Sequence, residues 1–393
     1  MKLSILIITL LSVHTAIYAQ PAERVLEEIR KNNTTLRALE MQFEAEGIGL
    51  RTGLTPSDPE LEYNYLWGDP SVTGNRTDII LTQDFDFPTA YFHRNRIASA
   101  RRQQLKTGYN ERLLEVMYNA RLLLTDLIHH NALDREYEQR LANAGAIAEA
   151  YTSRLEEGEG TLPDLNRARL NHLNLAKAAA LNRAERQDIL SRLAALNGGR
   201  QIEFTADYHP PATIPADFDT WYAAAEIDNP SLQWFREETG ISRTQERLTR
   251  AMSLPGFHAG YMSETIGAEQ FRGITAGISI PLWENRNRLS HARARTGALE
   301  YALADRSLQY YNQLRADYQR VEALQESLSG YREALQEYDN IPLLKKALDL
   351  GEISLTEYIL ELALYYDTVD LMLETERMIH RALNGLYRHR HPR

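Results

Sequence analysis

The chain has 393 residues, 54 Asp and Glu against 44 Lys and Arg, a formal net charge of −10, and no cysteine. The length admits two or three ordinary domains, and the acidic balance argues against a nucleic-acid partner, which selects a basic face. The lack of cysteine excludes a disulfide framework, a thiolate metal site and an acylated N-terminal cysteine.

In chain order, the first segment is MKLSILIITLLSVHTAIYAQ. A positive Lys2, an apolar run from Leu3 to about Val13 and a small Ala19 predict a secretory signal peptide over 1–19, with the mature chain starting near Gln20. A membrane anchor is the competing reading, but the run is shorter than the roughly 20 residues a spanning helix requires. A first repeat is expected over 20–199. It opens with a helix carrying NTTLRALEMQFEAEG from Asn33, and strands follow at about 60–67 (ELEYNYLW) and 77–88 (TDIILTQDFDFP). In the second strand Ile79, Leu81, Phe85 and Phe87 alternate with Thr82, Asp84 and Asp86, a period of two closed by Pro88. A long helix follows, with Leu113, Met117, Ala120, Leu124 and Leu127 at coiled-coil spacing. The segment GEGTLPDLNRARL from Gly158 then turns the chain into another helix ending on ALNG at Ala195.

Residues 200–219 read as a proline-rich linker with one candidate short strand. The second repeat, 220–387, repeats the order of the first. NPSLQWFREETGISR from Asn229 runs in step with the Asn33 segment as far as Pro255, as the first does to Pro59. Strands are expected at about 256–264 and 271–281, where Ile274, Ile278, Ile280 and Pro281 match Leu81, Phe85, Phe87 and Pro88. The long helix carries Ala304, Leu308, Tyr311, Leu314, Tyr318, Val321, Leu324, Leu328, Tyr331, Leu335 and Tyr338. Their mean step is close to the ~3.5 residues of a left-handed coiled coil. GEISLTEYILELA from Gly351 repeats the Gly158 turn, and ALNG returns at Ala382. A basic tail, 388–393, is expected to be mobile and holds His389 and His391.

Each long segment of about 65 residues spans on the order of 100 Å as a helix. The shorter helices, about 30 residues each, would match that height placed end to end. This predicts a tube or rod, mainly α, with four β-strands per chain. Strands of about 9–11 residues have the length of tilted membrane strands. Tyr63, Tyr65, Trp67, Tyr91, Phe92 and Trp283 lie near their ends, where interfacial aromatics sit. Four strands cannot close a barrel, and an open edge in lipid leaves backbone groups unpaired. A membrane reading therefore requires several copies to share one barrel. The alternative is two surface hairpins on a soluble coiled-coil protein.

Pro59/Pro255, ISIPLW at 278–283, the turns at Gly158 and Gly351 and the duplicated order of elements resemble the TolC-like outer-membrane efflux proteins over essentially the whole mature chain. The resemblance implies a homotrimer whose twelve-stranded β-barrel lies in outer-membrane lipid and whose helical barrel extends into the periplasm. It implies an exit duct of a tripartite efflux or type I secretion system, docked on a periplasmic adaptor and, through it, an inner-membrane transporter. By resemblance Gly158, Thr161, Leu162, Gly351, Ser354 and Leu355 form the adaptor-contact tip, and Glu357 and Asp164 stand at the periplasmic aperture. Ordinary helix capping by Thr161 and Ser354 is the parallel reading of the same residues, and a solvated helix-start acid that of Glu357. Two departures bear on gating. The family's second aperture acid is Leu360 here, beside Glu361, and a basic residue carried by some members is Ile353. No catalytic constellation, cofactor site or nucleotide-binding loop stands out. His129 and His130 are adjacent in a helical pattern and do not share a face. The rival reading is a periplasmic adaptor or another secreted coiled-coil binding protein.

Overall fold

The computed structural model describes residues 21–69, 71–338 and 340–389. The expected signal peptide, Gln20 and His391 lie outside the described residues. The elements are α1 (Pro21–Asn32), α2 (Thr34–Gly49), β1 (Glu60–Leu66), β2 (Arg76–Phe85), α3 (Pro88–Glu156), α4 (Leu162–Leu196), α5 (Phe218–Asp228), α6 (Pro230–Ala251), β3 (Gly256–Ile266), β4 (Glu269–Ser279), α7 (Arg288–Glu337), α8 (Ile341–Asp349) and α9 (Leu355–Leu386). None of the described helices is long and apolar enough to cross a membrane.

The strands form one antiparallel sheet in the order β1-β2-β3-β4. Each repeat supplies a hairpin, and β2 pairs with β3 from Arg76↔Ile266 to Phe85↔Phe257, joining the halves. The strands sit close to the expected segments, with shifted ends. β2 stops at Phe85 because Asp86 and Phe87 leave the ladder. The Asp86 amide donates to the Tyr91 hydroxyl at 2.9 Å, its carboxylate pairs with Arg94 at 2.5 Å, and Phe87 becomes the N-cap of α3. β3 and β4 run on towards each other through a tight turn at Gly267, whose φ is +60°.

α3 is continuous over 69 residues, ~100 Å at 1.5 Å per residue. It packs against α2 and α4 and also against α6 and α9, and α7 packs against α6 and α9. The short helices thus stack in pairs beside the long ones. At the first seam the Asn33 side-chain amide donates to the Leu196 carbonyl at 2.8 Å, and that of Asn32 to Asn197 at 2.9 Å. Gly198 is required at this seam. Its φ is +67°, and a Cβ there would stand 2.5 Å from the Asn32 carbonyl oxygen.

Three helices depart from expectation. The opening helix of each repeat is split in two, at Asn33 and at Asn229, the residues from which the two halves run in step. Each asparagine has extended backbone, and its side chain caps the following helix by accepting from Leu36 N–H or Leu232 N–H. The second long helix is also broken, into α7 of 50 residues and α8 of nine. Pro342 has no N–H to return to the Tyr338 carbonyl, and its ring would collide with it, so the helix cannot run through. Pro342 is tolerated only in the first turn of a new helix.

The linker forms no helix or strand from Arg200 to Asp217. It is a strap across both halves. Ile202 and Phe204 enter the core of the first, with Leu127, Leu193 and Ile29, while Ala212 and Ile214 pack against the core of the second, around Leu314, Val321 and Ile379. Asn131 on α3 donates to the Ala206 carbonyl at 2.9 Å, and Tyr318 on α7 to that of Pro215 at 3.0 Å. The start of the tail is packed rather than mobile. His389 is buried with its ring 5.7 Å from Trp221, and Arg388 lies over the Tyr118 ring.

Candidate functional site

The strand register sorts side chains onto two unlike faces, because neighbours along a strand alternate and paired residues share a side. One face carries the rows Leu61–Leu81–Tyr261–Ile274 and Phe85–Phe257–Ile278, all exposed, with Ile274 88% exposed. The other carries Glu62, Asn64, Asp78, Thr82, Asp84, His258 and Glu264. There Arg76 Nε bridges Asp78 at 3.0 Å and Glu264 at 2.9 Å. On this face the His258 ring lies over Gly277, 2.3 Å from where a Cβ would stand, so a larger residue there would displace the ring. An apolar face backed by an acidic one is the alternation that a water-filled barrel in lipid requires. β1 and β4 are edge strands with no partner among the described residues.

At the far end of the helices the two hairpin turns are built alike. Gly158 and Gly351 have φ of +79° and +74°, the left-handed conformation that ends a helix. Glu159 N–H donates to Arg154 O at 2.9 Å and Glu352 N–H to Ala347 O at 2.8 Å, the same six-residue closure in each. Three residues after each glycine comes an N-cap. Thr161 accepts from Asp164 N–H at 3.3 Å, and Ser354 from Glu357 N–H at 3.2 Å. The second is a full capping box, with the Ser354 amide and hydroxyl both donating to Glu357 Oε2 at 2.8 Å. Those two bonds, the backbone one foremost, hold the Glu357 carboxyl below the ordinary carboxylate range. Asp164 accepts from the Thr161 hydroxyl at 2.5 Å and pairs with Arg167 at 3.2 Å.

The expected tip leucines are not equivalent. Leu162 is 58% exposed, whereas Leu355 is 3% exposed, packed with Leu348, Tyr358 and Leu362. The apolar surface of the second tip is instead Leu343 and Leu350, 68% and 63% exposed, neither of which the motif singles out. Leu360 is exposed beside exposed Glu361, and Ile353 is half-buried.

Higher up, sequence reasoning missed two buried polar devices. Arg140 on α3, with 3% of its side chain exposed, pairs with both oxygens of Asp370 on α9 at 2.7 and 3.1 Å and stacks over the Tyr366 ring. Its partner is 230 residues away, so no local pattern announces it. The second is a stack of His209, from the strap, on His380 of α9, with ring centroids 4.1 Å apart and planes 11° apart. Burial depresses His209 to about 3 and His380 to about 4. His129 and His130 do face different partners. His129 Nε2 lies 3.7 Å from Glu374, and His130 Nδ1 lies 2.7 Å from Asn182. Among the described residues no three His, Asp or Glu side chains converge as metal ligands.

No family model matches the chain, and no curated protein matches it in sequence. Solved structures match it over nearly its whole length. A membrane protein from Pseudomonas aeruginosa superimposes with a TM-score of 0.79 at 14% identity, over 94% of this chain and 90% of that one. CusC, whose structures concern folding and transmembrane channel formation, gives 0.78 at 13% identity over 93% and 91%. The CmeC outer membrane channel of Campylobacter jejuni gives 0.76 at 14% identity over 94% and 85%. The chain has the TolC-like channel fold. At this identity the likeness speaks for the fold: long paired helices, one four-stranded sheet and two hairpin ends.

Proposed function

We propose that the chain is one protomer of an outer-membrane exit duct, a passive conduit from the periplasm to the outside, and not an enzyme. The observation that carries this reading is the sheet. Its strands of 7, 10, 11 and 11 residues present an apolar outer face and an acidic inner one, and neither edge has a partner among the described residues. Unpaired edge groups in hydrocarbon cost several kcal/mol each, so further copies must complete the barrel. The resemblance supplies the number three, and three such sheets make twelve strands. The ~100 Å helices then form the periplasmic tube. The outer-membrane channels that share the fold support this placement.

The hairpin ends are the natural dock for a periplasmic adaptor and, through it, an inner-membrane transporter. Gly158 and Gly351 set the turns, Thr161 and Ser354 cap them, Leu162 offers exposed apolar surface, and Leu355 anchors the second turn from inside. Three copies of Glu357, with Asp164, would ring the aperture with negative charge, which favours cations. A single-hairpin adaptor flanked by split β-domains is disfavoured, because one sheet here draws a hairpin from each repeat.

The test is purification from membranes in mild detergent, with oligomeric mass and single-channel conductance measured together. A conducting trimer is expected. A monomer that stays soluble without detergent would overturn the proposal.

A further inference from the structure

Although the chain is acidic overall, its charge is reversed just beyond the sheet. Residues 88–110, which follow β2, hold five Lys and Arg side chains and no carboxylate; residues 285–299, which follow β4, hold four and none. The duplication places both segments at the same height. Some of these cations are satisfied within the chain: Arg94 by Asp86, Arg101 and Arg295 by Glu238, Arg288 by Glu284. Arg96, Arg286 and Arg293 are exposed and have no ion pair or side-chain hydrogen bond among the described residues. The same holds for Arg250, in the last turn of the helix that leads into β3.

These four lie directly beyond a collar of exposed apolar side chains: Ile278, Ile280 and Leu282 at 59–68% exposure, Trp283 at 80% and Phe92 at 63%. Arg96 is one helical turn past Phe92 on the same face, about 12 Å along the axis from the start of α3. Arg286 is three residues past Trp283. An apolar band, then interfacial aromatics, then unpaired guanidinium groups is the order in which a bilayer presents hydrocarbon, interface and phosphate. Guanidinium binds phosphate oxygens in pairs and gives up hydration more readily than an ammonium.

We infer that Arg96, Arg250, Arg286 and Arg293 form a docking collar for anionic phospholipid headgroups of the leaflet facing the helical tube. The inference rests on the membrane-spanning reading above. The collar fixes the depth at which the barrel sits and ties the helix tops to the membrane surface.

The test uses the full chain reconstituted into bilayers of phosphatidylcholine, alone or mixed with phosphatidylglycerol. Lipid retained on the protein is read by native mass spectrometry, and conductance is recorded in the same preparations. Wild type should retain phosphatidylglycerol over phosphatidylcholine, less so as salt rises. Neutralising the four arginines together (Arg96→Gln, Arg250→Gln, Arg286→Gln, Arg293→Gln) should lower that preference about five-fold per side chain, additivity assumed, and leave conductance in phosphatidylcholine unchanged. A wild type that inserts and conducts without preferring phosphatidylglycerol would overturn the inference alone. So would a variant that keeps its lipid preference but changes ion selectivity, which would put the arginines in the lumen. A wild type that neither inserts nor conducts would overturn the duct reading and the collar with it.

Discussion

Acid should loosen the strap that holds the two repeats together. His209 lies in the strap and stacks on His380 of α9, and its Nε2 is buried without a hydrogen-bond partner. His129 on α3 is the other titratable ring acting on it; Glu374 and Arg377 face His129. The two stacked rings titrate at about 3 and about 4, against 6.5 for an exposed histidine, so both stay neutral in the folded chain. The released strap takes up protons that the docked strap refuses. Its docking is at full strength above 6.5 and is lost as pH falls from there towards 4 and then 3. At a pH of about 5 each ring costs about 2 kcal/mol, about 4 kcal/mol if one opening frees both. That is on the order of a 10³-fold rise in the opening constant. Hydrogen exchange of residues 202–217, corrected for the intrinsic pH dependence, measures it directly. Replacing His380 by Phe keeps a stacking ring and removes one proton site, so it should halve the pH sensitivity on the free-energy scale. Equal protection at a pH of about 7.5 and about 5, or undiminished sensitivity in a double Phe variant, would refute the reasoning.

Arg140→Met should cost about 2–3 kcal/mol in unfolding experiments, at or below the low end for a broken buried pair because Asp370 remains partly solvated. Adding Asp370→Leu should recover part of the loss. Ile274→Arg puts a charge on the apolar face of the sheet and should cost about 2–4 kcal/mol if that face meets the bilayer midplane. Thr275→Arg, one residue on and on the opposite face, should assemble normally; equal loss of heat-resistant oligomer in both variants would contradict the assignment of the faces. Glu357→Gln should reduce the cation preference of single channels, read from reversal potentials in a salt gradient, and Asp164→Asn tests the neighbouring acid in the same way. An unchanged reversal potential in both variants would remove these acids from the aperture.

The repeat was legible because its anchor residues act on the backbone wherever they occur. Asn33 and Asn229 cap helices, Gly158 and Gly351 take left-handed φ, and the alternation of apolar residues keeps one face of each strand to one side. What the sequence hid depends on distant partners. The strand after Ile79 stops short of Pro88 because Arg94 and Tyr91, on the next helix, draw Asp86 out of the ladder. Leu355 looks like Leu162 in its motif but is buried, because α8 folds back to bring Leu348 against it. The break before α8 was readable from Pro342, yet the unbroken apolar spacing through Tyr338 masks it. Arg140 with Asp370, and His209 with His380, are joined only by the packed fold.

The two hairpin ends therefore share a backbone design and differ in surface. The first follows an unbroken α3, is flanked by Glu156, Glu157 and Glu159, and exposes Leu162. The second follows the broken α7–α8 segment, carries Lys345 and Lys346, and exposes Leu343 and Leu350 while burying Leu355. In the proposed trimer these ends alternate around the axis. A partner that grips the tip meets two kinds of site, one acidic and one partly basic, instead of six equal ones. Exchanging the charges separates the two: Lys345→Glu with Lys346→Glu should weaken adaptor binding in a pull-down with the cognate adaptor, and Glu156→Lys with Glu157→Lys should act independently of it. If either pair alone abolished binding and the other had no effect, only one of the two ends would carry the contact, and the duplication would serve the tube without serving the dock.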